Sequence, residues 1–534
     1  MVVAAPIAPC RLRIARIAAA VAGAMLTSAA VAATPDGRLT IAALDHQSGD
    51  PLAVRLELRD ARGNPVRLRP AGAVVAGDSI YFDGEVVLEL RRGAYTFLLE
   101  AGPEYLTRTG QFTIDRHAED SVEARLTRRV DMRAEGWRAV DLDVQLPPDG
   151  LPLAMQARGV DFVPLAAAVN DHGRCLKLKH QPTDGGAPTA ADRLHGAWAE
   201  LDLRRGGGLL VIGAESPVDV CRWKADDPSL ASAMLGREKG GLVAALTPFA
   251  WDLPIWAAAG KLDAVCIINR HSQQNSVVDR ETDGRPRDRA LFPGQLGNGR
   301  YGETIYHHLL NCGLRLPPAA GSGAGASYGP AVSSGGKKTA GRAITSPLGL
   351  NRTYVHCGEE FSRESWLRGL RHGQVIVTNG PLLRAKVAGE LPGHVFQLAA
   401  GERREFEIAL ELAFYEATRV DYLEIVQNGR SLHTVRLDEL ANRAGRLPKV
   451  EFDASGWFLV RAVTDNPHVY QFATTGPYYV EANYQPRVSR ASVEFFLQWL
   501  EEAAKEFADN KAVLAEIDGA RPFWEDLLKR ANAD

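Results

Sequence analysis

The 534-residue sequence has no CxxC pair, no polybasic run and, beyond residue 33, no apolar stretch long enough to span a membrane. Each absence removes a class. A zinc ribbon holds its metal with paired CxxC thiolates, so that fold is excluded. Lys and Arg number 62 against 65 Asp and Glu, and without a basic stripe the footprint of a nucleic-acid partner is missing. Cysteine is scarce as well. Cys10 falls in the first 33 residues, leaving Cys175, Cys221, Cys266, Cys312 and Cys357, which allow at most two disulfides. The apolar surroundings of Cys266 and Cys312 suit buried free thiols.

The first 33 residues read as a signal peptide. Arg11, Arg13 and Arg16 precede an Ala-rich apolar stretch, Ile17 to Val31, and Ala30-Val31-Ala32 offers a small-x-small cleavage site. The remainder is expected to be periplasmic or secreted, with no stable membrane span once the leader is cut. Its length is too great for one core and points to three or four domains.

Residues 34–132 read as an all-β sandwich. Leu39–Leu44, Ala53–Leu58, Glu85–Leu90 and Tyr95–Glu100 are short strands separated by turn residues. In the second, Val54, Leu56 and Leu58 alternate with Arg55 and Glu57, predicting a half-buried strand with the charged pair outward. Over 133–385 the pattern changes to alternating strand and helix. Asp161–Leu165, Leu209–Ile212, Leu242–Leu246 and Ala264–Ile268 are apolar runs suited to a parallel sheet covered on both faces. Leu151–Arg158 and Glu303–Asn311 are helix candidates. Residues 318–347, rich in Gly, Ser and Ala with Lys337-Lys338, read as a flexible loop. A second sandwich is expected over 386–485, from Phe406–Leu412, Tyr422–Val426 and Trp457–Val463. A helical tail follows over 486–534, two helices with Pro522 near the break.

One stretch carries more than fold. Residues 136–146 read GWRAVDLDVQL, which resembles the G-W-x-x-x-D-L-H-x-H strand of the PHP (polymerase and histidinol phosphatase) metallohydrolases, especially their carbaryl-hydrolase-like CehA/McbA branch. In that family the two histidines share one strand face, as residues i and i+2 do, and grip a divalent metal. Here Gly136, Trp137, Asp141 and Leu142 keep the frame, while Asp143 and Gln145 stand for the histidines. Trp251–Trp256, Leu309–Gly313, Thr378–Leu382 and Thr475–Val480 extend the resemblance over nearly the whole exported chain. The implied fold class is multidomain α/β plus β: a PHP-like distorted (β/α) barrel flanked by two β-sandwiches, with a C-terminal helical tail. Its active site would lie at the C-terminal strand ends.

The other family motifs are equally depleted. A T-D-H-like element falls on Ala167–Asp171, where Asp171 and His172 serve only if the register slips. Glu215 matches the acid after the third strand. Thr247 replaces a later histidine, and Gly321-Ser322-Gly323-Ala324-Gly325 matches G-S-D-x-H without its acid or imidazole. The polar residues left near the expected strand ends are Asp141, Asp143, Asp171, His172, Glu215, Asp252, Asn269 and His271. His307 and His308 are expected on different sides of their helix, both in packing roles.

Two functions from different classes follow. The first is a non-catalytic binding or scaffolding domain for a small molecule or cell-envelope component. The second is a periplasmic metal-dependent hydrolase of esters, amides or phosphoesters. In that case a divalent metal would be the cofactor, held by Asp141, Asp143, Asp171, His172 and Glu215, with Glu215 and His271 in catalytic roles. The depleted ligand set favours the first.

Overall fold

A computed structural model describes residues 35–178, 193–326, 333–334, 337–338, 346–413 and 419–534. The expected leader, and most of the expected loop before residue 347, lie outside the described residues. The chain is a multidomain α/β and β protein that ends in a helical pair. No helix among the described residues is long and apolar enough to cross a membrane.

The N-terminal strands are β1 (Gly37–Asp45), β2 (Ala53–Asp60), β3 (Val74–Ala76), β4 (Ser79–Asp83), β5 (Glu85–Leu90), β6 (Gly93–Glu100), β7 (Arg108–Ile114) and β8 (Glu119–Leu126). They form two sheets, β5-β1-β8 and β3-β4-β2-β6-β7. Leu39, Ile41, Val54, Leu56, Phe82 and Leu88 close a shared core between them. Arg55 departs from the period-2 expectation. It is 2% exposed, with its guanidinium on Ser79 Oγ at 2.9 Å and Glu100 at 2.5 Å. The cause is a neighbour rather than the strand, because Ala53 and Tyr81 share a core with the first helix of the next domain.

That domain runs β9 (Trp137–Val140), α1 (Leu151–Arg158), β10 (Phe162–Asp171), β11 (Arg174–Lys177), β12 (Leu194–Arg204), β13 (Gly207–Ile212), α2 (Leu230–Glu238), β14 (Leu242–Ala245), α3 (Leu253–Ala258), β15 (Ala264–Ile268), α4 (Leu296–Asn311) and β16 (Pro318–Ala320). The sheet order is β16-β15-β14-β13-β12-β10-β9. β9, β10 and β12 run parallel, as do β14, β15 and β16, but β13 is antiparallel to both its neighbours. This corrects the all-parallel expectation: β12 and β13 form a hairpin, and an apolar run such as Leu209–Ile212 carries no mark of its direction. Beyond β9 the chain meets the segment after β16. Leu142 N donates to Ala320 O (3.4 Å), Gln145 N to Ala324 O (2.7 Å) and Ala324 N to Asp143 O (3.1 Å), joining the two ends of the seven-strand run. Residues 318–326 are therefore strand and buried turn, not flexible loop, because their small side chains let two backbones approach.

After a two-residue ladder, β17 (Ser333–Ser334) with β18 (Lys337–Lys338), come β19 (Arg352–His356), α5 (Arg363–Arg371) and β20 (Val375–Thr378). β19 pairs antiparallel with β9 and carries the sheet onward through β20, while the next strand pairs in a separate two-stranded sheet. The C-terminal β region holds β21 (Leu382–Val387), β22 (Val395–Leu398), β23 (Arg404–Phe406), β24 (Ile408–Ala413), β25 (Val420–Gln427), β26 (Arg430–Val435), α6 (Leu437–Asn442), β27 (Val450–Phe452), β28 (Gly456–Thr464), β29 (Phe472–Thr475) and β30 (Tyr478–Ala482). Its core, with Leu423, Phe458, Val460 and Tyr478, takes in Trp137 and Tyr354 from β9 and β19.

The tail is α7 (Arg490–Glu506) and α8 (Lys511–Lys529). Pro522 lies inside α8 and does not mark the break. The break is set by Asn510, whose side chain caps Ala512 and Val513 N–H. The carbonyl that Pro522 leaves without a donor belongs to exposed Asp518, where water can serve it. Trp499 and Trp524 pack with Trp256 of α3 in one core.

Candidate functional site

β9 ends at Val140 and the chain bends at Leu142, which delivers Asp143 beside the end of β15. Its carboxylate is fully buried and is gripped by Arg270, Nε to Oδ2 at 2.7 Å and Nη2 to Oδ1 at 2.7 Å. Both acceptor oxygens are engaged by one planar fork, the strongest form of this pairing. Space for the arginine comes from two glycines. A Cβ on Gly323 would lie 2.7 Å from Arg270 Cβ, and one on Gly321 would lie 2.7 Å from Asp143 Cβ. Glycine at 321 and 323 thus leaves the room that Asp143 and Arg270 fill.

Asp141 is also fully buried. It accepts hydrogen bonds from Ser322 N (2.8 Å) and Gly349 N (2.8 Å), with Asp143 N at 3.4 Å. Burial pushes its carboxyl up to about 6, against the pull of those hydrogen bonds. Asn351 completes the network: its Nδ2 donates to Asn269 O (2.9 Å) and Gly321 O (3.1 Å). His271 is 3% exposed, with Nδ1 3.0 Å from Asn269 Oδ1 and its ring edge-on to Phe249. Burial, then the adjacent Arg270 charge, holds it down to about 3. It is neutral at physiological pH and a poor general base there.

The other expected ligands are elsewhere. Asp171 and His172 lie at the far end of β10, six residues past Leu165, which bridges to Val144. Six strand residues span about 20 Å. Both ring nitrogens of His172 face carboxylates, Asp171 at 3.0 Å and Asp283 at 2.9 Å. The bond to Asp171, then that to Asp283, raises it to about 10. An imidazolium has no lone pair for a metal. Glu215 is exposed and follows β13. Because β13 is antiparallel, Glu215 emerges at the opposite end of the sheet from Asp143, beside Gly240. Asp252 is buried at the start of α3, accepts from Ser229 Oγ and is raised by burial to about 6. Asn269 is buried next to Arg270.

The structure therefore brings together Asp141, Asp143, Asn269 and His271, and leaves Asp171, His172, Glu215 and Asp252 apart. No group of three His, Cys, Asp or Glu among the described residues could hold a metal ion. The residues at Asp143 do not fit one. Sequence reasoning missed Arg270 and Asn351. Arg270 lies between two residues it did select, and a buried acid in place of a histidine is the signal that a cation must stand nearby.

Gln145 is partly buried just outside this network, and its Nε2 has no hydrogen-bond partner. The next residue, Leu146, lines a cavity of about 420 Å³ with Gly325, Gln274, Leu348 and, from the N-terminal sandwich, Val74 and Tyr81. The strand ends thus open onto a space shared with the first domain.

No family profile and no curated protein matches the chain. Among solved structures, the fibronectin(III)-like modules of CbhA from Clostridium thermocellum align with 18% of this chain and 98% of their own, at 12% identity and TM-score 0.13. The β-glucuronidase of Parabacteroides merdae aligns with 82% of this chain and 62% of its own, at 11% identity and TM-score 0.15.

Proposed function

We propose that this chain is an exported, non-catalytic relative of the CehA/McbA-like PHP metallohydrolases, whose distorted barrel serves as a binding or scaffolding domain between two sandwiches. The observation that carries this reading is the buried Asp143–Arg270 pair. A guanidinium supplies the fixed cation beside the acid that replaces the first family histidine. Arginine stays protonated and cannot generate a nucleophilic hydroxide as a metal does. The seven-strand run joined end to end, with the GW…DL frame on β9, supports the barrel. Export is supported by the Cys175–Cys221 disulfide, a bond that persists in oxidising compartments.

The test is elemental analysis of the purified protein, before and after incubation with Zn²⁺, Mn²⁺ or Mg²⁺, alongside ester, amide and phosphoester substrates. The expected result is no stoichiometric metal and no turnover. Bound metal with hydrolysis would establish the alternative, a metal-dependent hydrolase. Asp143→His with Gln145→His is expected to stay metal-free and inert, because Arg270 remains and Thr247, Gly323 and Gly325 add no donor. For export, mass spectrometry of the periplasmic fraction should find the new N-terminus near Ala32.

A further inference from the structure

Far from the barrel mouth, a cleft of about 700 Å³ lies between α4, the β25–β26 turn and the first turn of α7. From α4 it takes Thr304, His307, His308 and Asn311, whose i, i+3, i+4 and i+7 spacing sets them on one helix face. The sequence expectation that His307 and His308 face different sides is corrected here. Adjacent helical residues are about 100° apart, and this cleft is wide enough to receive both. His308 is accounted for: its ring stacks on Phe495 and Nδ1 sits 3.0 Å from Ser492 Oγ. His307 is not. It is 8% exposed, its ring packs beside Trp457, and its Nε2 is buried without a hydrogen-bond partner.

The remaining lining is positive. Arg487 also keeps a buried Nε with no partner, while its Nη2 donates to Asp534 O at 3.2 Å. Arg430 is exposed at the turn and forms no ion pair among the described residues. The two arginines are close enough for Arg430 to lower the pKa of Arg487, after burial. Asp534 is the one acid on the lining. Ser489, Ala491 and Ser492 belong to the start of α7, a 17-residue helix, so the positive end of its dipole faces the same space. Leu432 stands at the rim, 40% exposed. Two arginines and a helix start favour negative oxygens, and the exposed leucine suits a short apolar body.

We propose that this cleft binds a small anionic molecule. Its carboxylate or phosphate head meets Arg430 and Arg487, and its apolar body rests on Leu432. The site is separate from the Asp143–Arg270 pair.

The test is isothermal titration of the full exported chain with inorganic phosphate and, separately, with hexanoate, in a buffer free of other oxyanions. Saturable binding below about 10 mM is expected for at least one probe, and which one binds assigns the head group. Arg430→Gln with Arg487→Gln should weaken it by about tenfold or more, the loss of charge-assisted hydrogen bonds. Arg430→Gln, at an exposed turn, carries the test alone if the Arg487 variant fails to fold by circular dichroism. No saturable binding of either probe, or binding unchanged in the arginine variants, overturns the proposal.

Discussion

Where the end of β9 meets β15, a place called the mouth below, Asp143 and Arg270 satisfy each other; beside α4, His307 and Arg487 keep buried nitrogens without partners. Both regions are concave, and both mix arginine, histidine and amide side chains. They differ in what an entering ligand would meet. At the mouth it would have to break a buried pair and leave one charge stranded, a cost of several kcal/mol. In the cleft it would meet the exposed Arg430, which forms no ion pair among the described residues, so no existing pair has to break. What a concavity can bind therefore follows from the pairing of its polar groups more than from its position in the fold.

The sharpest way to break this contrast is to remove the cation at the mouth. Arg270→Met strands Asp143 in a fully buried position and is expected to lower stability by about 3–5 kcal/mol, read by urea unfolding. Adding Asp143→Leu should recover most of the loss, since an apolar pair of similar volume needs no counterion. The deficit of the single variant should also depend on pH. An unpaired buried carboxyl has its folded pKa raised above the unfolded value. Its stability contribution is then present at low pH and lost as pH rises, so the deficit shrinks on acidification. If Arg270→Met were tolerated at neutral pH, the mouth would be as open to ligands as the cleft.

How much of this was legible in the sequence differs between the two regions. Strands such as β2, β14 and β15 were legible because hydrophobic pattern is local: alternating residue types in the first, though Arg55 is buried all the same, and unbroken apolar character in the others. Strand direction was not legible, since Leu209–Ile212 reads alike either way, and that put Glu215 at the wrong end. Arg270 was passed over because an isolated arginine after a strand looks solvated. Only the Gly321 and Gly323 approach, from residues more than 50 positions away, shows that it is buried. The cleft was invisible for a stronger reason. Its lining comes from α4, a hairpin turn and the start of α7, three segments whose meeting no local pattern encodes.

A third region lies between these extremes, where the chain beyond the mouth is fastened covalently. Cys175 on β11 and Cys221 are joined across 46 residues of sequence. Closing a loop of that length restricts the unfolded chain, so Cys175→Ser with Cys221→Ser should cost about 2–4 kcal/mol. Non-reducing peptide mapping checks the linkage, and the drop in melting temperature checks the magnitude. Cys266 and Cys312 are buried, and burial raises both thiols. They should resist alkylation until the protein unfolds. An unchanged melting temperature in the double variant would mean that β11 is held by packing alone.

The smallest expected effect concerns His172, whose two carboxylate partners resemble the mouth in pairing but differ from it in exposure. Its side chain is 43% exposed, so solvent screens the pair and its worth is at most about 1 kcal/mol. The sign is still diagnostic. The hydrogen bonds from Asp171 and then Asp283 raise the folded value to about 10 from 6.5. The stabilisation is therefore complete below about pH 6.5 and is lost as pH rises through about 10. Asp171 moves the other way, held down to about 2 first by the His172 bond, so its part is lost only in strong acid. Unfolding measured from pH 6 to pH 10 should show His172→Gln destabilised at the acid end and indistinguishable from the parent at the alkaline end. The Arg270→Met deficit, by contrast, should never shrink as pH rises. Opposite slopes from the two variants would separate a solvent-screened pair, which carries a titrating cation, from a buried one whose cation never titrates. Parallel slopes would show that burial is not what distinguishes them.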